Sequence, residues 1–372
     1  MSKEGVDRWV IKAGSSLVAG SDAGLNKTFI QSLVSQVNIL LEFNIQVIIV
    51  SSGAIAKGIH ELQLPKRPAS LHLLQATAAV GQLGLINAYQ TQFTKFGIKA
   101  AQVLISHDDI ANRERYLNAR RSLITLIEMG VVPIVNENDS VAVEEISFGD
   151  NDTLAGAIVG LTDADRFIML TDQKGVFTQD PAIEKNAELL KTINLDDKSV
   201  DLKKITDGSS GLLGRGGMKT KLKAARLSLD SGAKTWVADG NDHYVLINIL
   251  EGQNIGTLFK GERDKLQSRK KWIASLGAPL GKLIIDDGAA EAIGREGGSL
   301  LPVGVTKIEG EFEKGSLVTC LDKNNEEVAR GFSNFNSSEI KLILRLKSDK
   351  VSSALGYATE EEVIHRNNLV LS

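Results

Sequence analysis

From the first residues to about 260, short apolar runs alternate with longer segments of helical periodicity. RWVIK (8–12), QVIIVSS (46–52), KAAQVLI (99–105), VVPIVN (131–136), RFIMLT (166–171) and AKTWVAD (233–239) read as strands. Several lack polar alternation, the pattern of strands covered on both faces. Between them, 26–43, 69–95, 113–129, 151–162 and 218–231 carry helical patterning. This alternation predicts an α/β domain with a mainly parallel sheet and right-handed crossovers. Ligands of such sheets gather beyond the carboxyl ends of the strands, so the loops at those ends are the places to search.

The character changes after RDKLQSRKKW (263–272). The C-terminal hundred or so residues show short strands, close turns and one short helix around 288–295. LDKNNEEVARG reads as a hairpin turning at Asn324 and Asn325. The expected organisation is a domain over 1–261, a charged linker over 262–275 and a small β-rich domain over 276–372.

Composition narrows the function classes. The 372 residues are 42% hydrophobic, enough for real cores, and the net charge is only −3. Residues 263–372 carry 16 Lys/Arg against 16 Asp/Glu, so the C-terminal part has no basic excess for phosphate backbones. The N-terminus lacks the apolar core of a signal peptide, and no apolar run reaches the roughly 18 residues of a membrane span. A single cysteine, Cys320, excludes a disulfide framework and a cysteine-based metal site. It lies in the alternating run GSLVTCLD, where a small core residue is expected. Together these features predict a cytoplasmic protein without a membrane partner.

Five strand-end loops could carry chemistry. KAGSS (12–16) offers Lys12 and a small-residue turn to an anion, or is simply a surface lysine before a glycine turn. SSGAIAKG (51–58) offers hydroxyls at a helical start, for a ligand anion or for its own helix. NENDSVAVEEISFGDNDTLAG (136–156) gathers Asn136, Glu137, Asn138 and Asp139, then Asp150, Asn151, Asp152 and Thr153 before a helix. These acids and amides suit a helix cap, an ammonium group or water-bound Mg²⁺, and loops are often polar in any case. TDQKGVFTQDP (171–181) fits a nucleotide base or ribose, or a plain turn.

The fifth loop, GLLGRGGMKTK (211–221), fails both common phosphate motifs. Met218 separates Gly217 from Lys219, which breaks the Walker spacing, and Lys219 stands where the dinucleotide motif needs its third glycine. Its glycines still permit close approach, and Lys219 and Lys221 open a helix whose positive end faces the loop. A glycine hinge before a basic helix face is the plainer alternative. It leaves the other four loops unexplained. Jointly they supply lysines from two sources, helix N-termini, hydroxyls and acids. That set suits phosphoryl transfer, which needs positioning and charge stabilisation. A carboxylate acceptor, ionised at neutral pH with a pKa of about 4, would require no general base.

The motifs VIKAGSS, VSSGAIAKG, AAVGQLGL, RERYLNAR, VVPIVNENDSVA, FGDNDTLA, MLTDQKGVFTQDP and GRGGMKTKLKAA occur in this order. Over essentially its whole length the chain resembles the glutamate 5-kinase family, amino acid kinases with a C-terminal PUA-like domain. The resemblance implies an αβα sandwich with a mainly parallel eight-stranded sheet. It also implies ATP-dependent phosphorylation of the L-glutamate side-chain carboxylate, with Mg²⁺, as the first step of proline biosynthesis under feedback inhibition by proline. A homodimer or homotetramer built through the kinase domain is implied as well.

Carried over by motif, Lys12 and Lys221 would contact ATP and steady the transferring phosphoryl group. Ser52, Asp139 and Asn151 would bind glutamate. Thr171 and Asp172, with Arg215, Gly216, Gly217, Met218, Lys219, Thr220 and Lys221, would line the ATP site. Asp150 and Asp152 would organise the lysines or Mg²⁺, and no residue is assigned as a direct metal ligand. Two positions depart from the family pattern: Ala13 stands where a larger aliphatic residue is common, and Lys219 where a small polar one is.

Two rivals are weighed. Kinases of the same fold act on N-acetylglutamate, aspartate, carbamate or nucleoside monophosphates, but VNEND with GDND and the attached small domain favour free glutamate. PUA-like domains are known as RNA-binding modules, and the even charge of the C-terminal part disfavours that role.

Overall fold

The computed structural model describes residues 6–20, 24–141, 151–179, 181, 183–184, 186–197, 217–261, 270, 273, 279–294, 297–356 and 361–372. The chain forms two compact units, Met1–Arg263 and Asp264–Ser372. The segment read as a linker, 262–275, lies outside the described residues apart from Lys270 and Ile273.

In the first unit eight strands share one sheet: β1 (Arg8–Ala13), β2 (Gln46–Ser51), β3 (Lys99–Leu104), β4 (Val131–Asn136), β5 (Arg166–Thr171), β6 (Thr192–Asn194), β7 (Lys234–Asp239) and β8 (Thr257–Lys260). Their order is β3-β4-β2-β1-β5-β7-β8-β6, and among the described residues only β7 and β8 pair antiparallel. Continuous apolar runs became central strands for the physical reason expected: β1, β2, β4 and β5 are buried at every position after the first. KAAQVLI forms β3 at the sheet edge, where its side chains are partly exposed.

Alternation along β1 assigns its two faces. Trp9, Ile11 and Ala13 join a core with Phe29, Val37, Tyr89 and Phe93 from the helices Lys27–Glu42 and Leu71–Thr94, and with Leu246 from Val245–Leu250. Ala13, smaller than the usual residue at its position, is fully buried there. The opposite face, carrying Val10 and Lys12, receives the helix Asn151–Thr162. That helix packs against Arg113–Glu128 on one flank and Met218–Asp230 on the other. The two helical layers and the sheet make the expected sandwich.

The second unit is a five-stranded sheet of β9 (Gly281–Ile285), β10 (Val305–Glu309), β11 (Leu317–Leu321), β12 (Glu327–Phe332) and β13 (Leu369–Leu371), ordered β10-β9-β11-β12-β13. Among the described residues of this sheet only β9 and β11 run parallel. The short helix expected around 288–295 is Asp287–Gly294. The β11–β12 hairpin turns through Asn324 and Asn325, with Asn325 at φ 63°, a conformation asparagine tolerates well. Asp322 Oδ1 accepts from the backbone N–H of Asn324 and of Glu326, closing the turn. Cys320 is a buried core residue of β11. Among the described residues no helix is long and apolar enough to cross a membrane.

Candidate active site

Lys12 is the penultimate residue of the central strand, and strand alternation turns it toward the helix Asn151–Thr162. Its side chain is only 8% exposed, a setting in which an ammonium group needs a counter-charge. Asp152, in the first turn of that helix, supplies it: Lys12 Nζ lies 2.6 Å from Asp152 Oδ1. The other oxygen is shared. Lys221 Nζ stands 3.2 Å from Asp152 Oδ2, and Thr220 Oγ1 is 2.9 Å from the same atom. Thr220 and Lys221 belong to the opening turn of the helix Met218–Asp230, whose N-cap, Gly217, has no side chain to satisfy the helix's leading N–H groups.

This meeting of strand and two helices depends on a close helix crossing. A Cβ added to Gly156 would lie 2.9 Å from the carbonyl oxygen of Ala224, so only glycine lets the backbones approach this far. One turn toward the N-terminus from each contact residue stand Asp152 and Lys221, which the crossing therefore brings together. On the strand side, a Cβ at Gly14 would lie 3.0 Å from Leu170 O and 4.0 Å from Lys12 Nζ. A side chain there would fill the space beside the ammonium group.

Burial pushes the Asp152 carboxyl upward, but the charges of Lys12 and Lys221, with hydrogen bonds from Lys12 and Thr220, outweigh it and hold the pKa at about 2. Burial lowers the Lys221 ammonium from its ordinary value, opposed by Asp152 and reinforced by Lys12. Two cations converge on one carboxylate at the uncapped N-terminal end of a helix, with Asp172 the further negative charge felt by Lys221. That is an anion site by charge and by dipole.

Beside it lies a neutral polar chain. Asn151 Nδ2 is 2.8 Å from Ser52 Oγ, 2.9 Å from Asn136 Oδ1 and 3.3 Å from the Ser51 carbonyl. Asn136 Nδ2 in turn donates to Gln82 Oε1 at 2.8 Å. Ser51 Oγ donates to the Ser52 carbonyl at 3.0 Å, so the Tyr89 hydroxyl, 2.9 Å away, donates to Ser51 Oγ. Burial pushes the Tyr89 phenol up to about 12, against the hydrogen bond to Ser51, which keeps it a neutral donor.

The remaining sequence-predicted residues fall around these two groups. Thr171 is buried at the end of β5 and donates to Asp172 Oδ1 at 3.0 Å. Asp172 is exposed and adds a favourable charge to Lys221. Gly217 and Met218 form the entry to the helix that carries Lys221, and Lys219 projects as an exposed side chain. Asp139 is half-buried just beyond β4, in the loop that follows Asn136. Asp150, Arg215 and Gly216 lie outside the described residues. Asn136 and Gln82 were not among the assigned site residues. Asn136 could have been found as the polar end of a buried strand, whereas Gln82 is one of four glutamines in its helix and carries no such signal. Among the described residues no group of three or more His, Cys, Asp or Glu side chains is placed to hold a metal ion.

Residues 7–239 match the amino acid kinase family and residues 281–355 the PUA domain. The chain is 47% identical over 364 residues to glutamate 5-kinase from Thioalkalivibrio sulfidiphilus, covering 98% of this chain and 96% of that protein. It is 46% identical over 364 residues to the enzyme from Nitrosospira multiformis, covering 98% and 97%. With that of Pseudomonas syringae pv. syringae it shares 44% identity over 367 residues, covering 99% and 98%. Among solved structures, UMP kinase from Ureaplasma parvum aligns at a TM-score of 0.46 and 17% identity, covering 68% of this chain and 99% of that one.

Proposed function

The chain belongs to the amino acid kinase family and to its glutamate 5-kinases, and we propose that it transfers the γ-phosphoryl group of ATP to the side-chain carboxylate of L-glutamate. The observation that carries this reading is the pair of ammonium groups, Lys12 and Lys221, held on Asp152 beside the Ser52–Asn151 hydrogen bond. One group of residues suits a polyphosphate and the adjoining one a carboxylate.

In the reaction a glutamate carboxylate oxygen attacks the γ-phosphorus, the bond from that phosphorus to the β,γ-bridging oxygen breaks, and ADP leaves with the electron pair. The acceptor is already ionised, so no base is required. The main obstacle is repulsion between two anions. Lys12 and Lys221 offset it and stabilise the charge on the phosphoryl oxygens in transit, an effect for which one well-placed donor is worth roughly 10²–10³ in rate. Ser52, Asn151 and Asp139 bind glutamate, Ser52 through its carboxylate and Asp139 through its ammonium group, while the Asn151 amide holds the Ser52 hydroxyl. Thr171, Asp172 and the segment from Arg215 to Lys221 line the nucleotide site. Mg²⁺ bound with the nucleotide would supply neutralisation of phosphate charge. Both oxygens of Asp152 are engaged by ammonium or hydroxyl groups, so its role is to order the lysines. Asp150 would share that role or hold the metal.

The finer assignments rest on membership. The product enters proline biosynthesis in the cytoplasm, proline inhibits by feedback, and the enzyme is a homodimer or homotetramer. The kinase domain is 1–261, joined by a linker at 262–275 to a PUA-like domain at 276–372. RNA is not favoured as a ligand of that domain, and filter binding at physiological salt should give no submicromolar affinity. The test of the main reading is trapping with hydroxylamine. ATP-dependent hydroxamate is expected from L-glutamate and not from L-aspartate or N-acetylglutamate. No hydroxamate from glutamate at saturating Mg-ATP would sink the proposal.

A further inference from the structure

Gln82 sits on the helix Leu71–Thr94 with 7% of its surface exposed, and its two amide atoms are used unequally. Oε1 accepts from Asn136 Nδ2 at 2.8 Å. Nε2 is buried and has no hydrogen-bond partner among the described residues. A buried donor without a partner is destabilising, so this residue is a liability at one end. What it contributes must lie at the other.

The direction of the amide chain shows the contribution. The Ser51 carbonyl can only accept, so the Asn151 atom facing it at 3.3 Å is the nitrogen. The same nitrogen faces Asn136, which must therefore present Oδ1 at 2.9 Å and turn its own nitrogen toward Gln82. Each link is thereby given a direction. At the far end Ser52 Oγ receives the Asn151 N–H at 2.8 Å, which occupies a lone pair and leaves the hydroxyl hydrogen to point elsewhere. A serine held this way is a donor, the polarity a carboxylate ligand requires. Without an acceptor at position 82, the Asn136 amide loses the bond that holds its orientation, and the Asn151 amide, then oriented only by the long 3.3 Å contact to the Ser51 carbonyl, holds Ser52 less firmly.

The geometry points to Gln82 as a positioning residue for the acceptor substrate, fixing through Asn136 and Asn151 the hydroxyl of Ser52 as a donor to the glutamate carboxylate. It acts 54 residues in sequence from the amide it holds and touches no substrate itself. The helix bearing Gln82 is seated directly on the helix Ala54–Glu61 that comes after Ser52, so closely that a Cβ on Gly81 would strike the Ala54 carbonyl.

The inference rests on the proposed glutamate kinase activity, and its test keeps the two apart. Gln82→Met preserves shape and removes the acceptor; Gln82→Glu keeps an acceptor toward Asn136 whether ionised or protonated. In the hydroxamate assay with full-length protein, Gln82→Met should raise KM for glutamate about tenfold, the worth of one oriented hydrogen bond, with kcat and KM for ATP within about twofold. Gln82→Glu should recover most of that loss. In a Ser52→Ala background Gln82→Met should add no further change, because both act on one hydroxyl. Gln82→Leu replaces the methionine variant if the latter does not fold. Unchanged KM in Gln82→Met, equal impairment in Gln82→Glu, or additive losses with Ser52→Ala would each overturn the inference. A wild-type enzyme that forms no glutamyl hydroxamate would instead overturn the functional reading beneath it.

Discussion

Lys221 and Asp152 meet across two helices, ammonium nitrogen to carboxylate oxygen at 3.2 Å, while Lys219, two residues earlier on the same helix, is exposed. A helix turn separates neighbours by about 100° per residue, so only one of two lysines spaced by two can face the site. Lys221→Ala should therefore lower kcat by about 10²-fold or more with little change in KM for glutamate. Lys219→Ala should stay within about threefold in both constants. Steady-state kinetics on the two variants separates the roles, and near-normal kcat in Lys221→Ala would remove it from the mechanism.

Asp152 is the carboxylate on which Lys12 and Lys221 converge. Asp152→Asn would leave two buried ammonium groups without that charge. Breaking one partner out of a buried ion pair costs about 3–5 kcal/mol, so the urea midpoint of the variant should fall by a corresponding amount. Added ATP should narrow the difference, since phosphate supplies the missing negative charge.

The same carboxylate gives stability a defined pH window. Its folded pKa, about 2, is depressed below the ordinary 3.8, so its contribution is complete above about pH 4 and is lost as pH falls from there toward 2. The loss amounts to about 2 kcal/mol. Urea unfolding across this window should show a steeper decline for the wild type than for Asp152→Asn, and equal slopes would count against the assignment.

Gly156→Ala places a methyl group against the Ala224 carbonyl at 2.9 Å, a contact neither helix backbone can relieve without moving. Overpacking of this kind costs about 1–3 kcal/mol. Because the crossing also sets the approach of Lys221 to Asp152, kcat should fall with stability. An enzyme with unchanged kcat and melting temperature would show that the crossing tolerates more separation than its geometry implies.

Legibility in the sequence was a matter of range. Trp9 to Ala13 and Arg166 to Thr171 declare themselves as buried strands because each residue's neighbours in sequence are also its neighbours in pattern. Thr192–Asn194 and Thr257–Lys260 do not, being too short to establish a period, and their pairing with each other links residues more than 60 positions apart. Lys12, Asn151, Asp152 and Lys221 were legible through motifs at strand ends. Their joint geometry was not, since it rests on a helix crossing at Gly156 that no local pattern announces. Gln82 was hardest to find: it is one of four glutamines in its helix, and nothing in the sequence distinguishes it until its partner, Asn136, is known.

The shared carboxylate has a consequence for turnover. Before nucleotide arrives, Lys12 and Lys221 already have an anion in their grip, so binding a phosphate is an exchange of partners rather than the filling of bare charge. On the proposed role of the two lysines, the incoming phosphate would compete with Asp152 for both cations, and the departing one would leave them a ready replacement. In the proposed reaction Asp152 would thereby set a ceiling on how tightly an anion is kept, so that a site drawing in ATP would remain able to let ADP go.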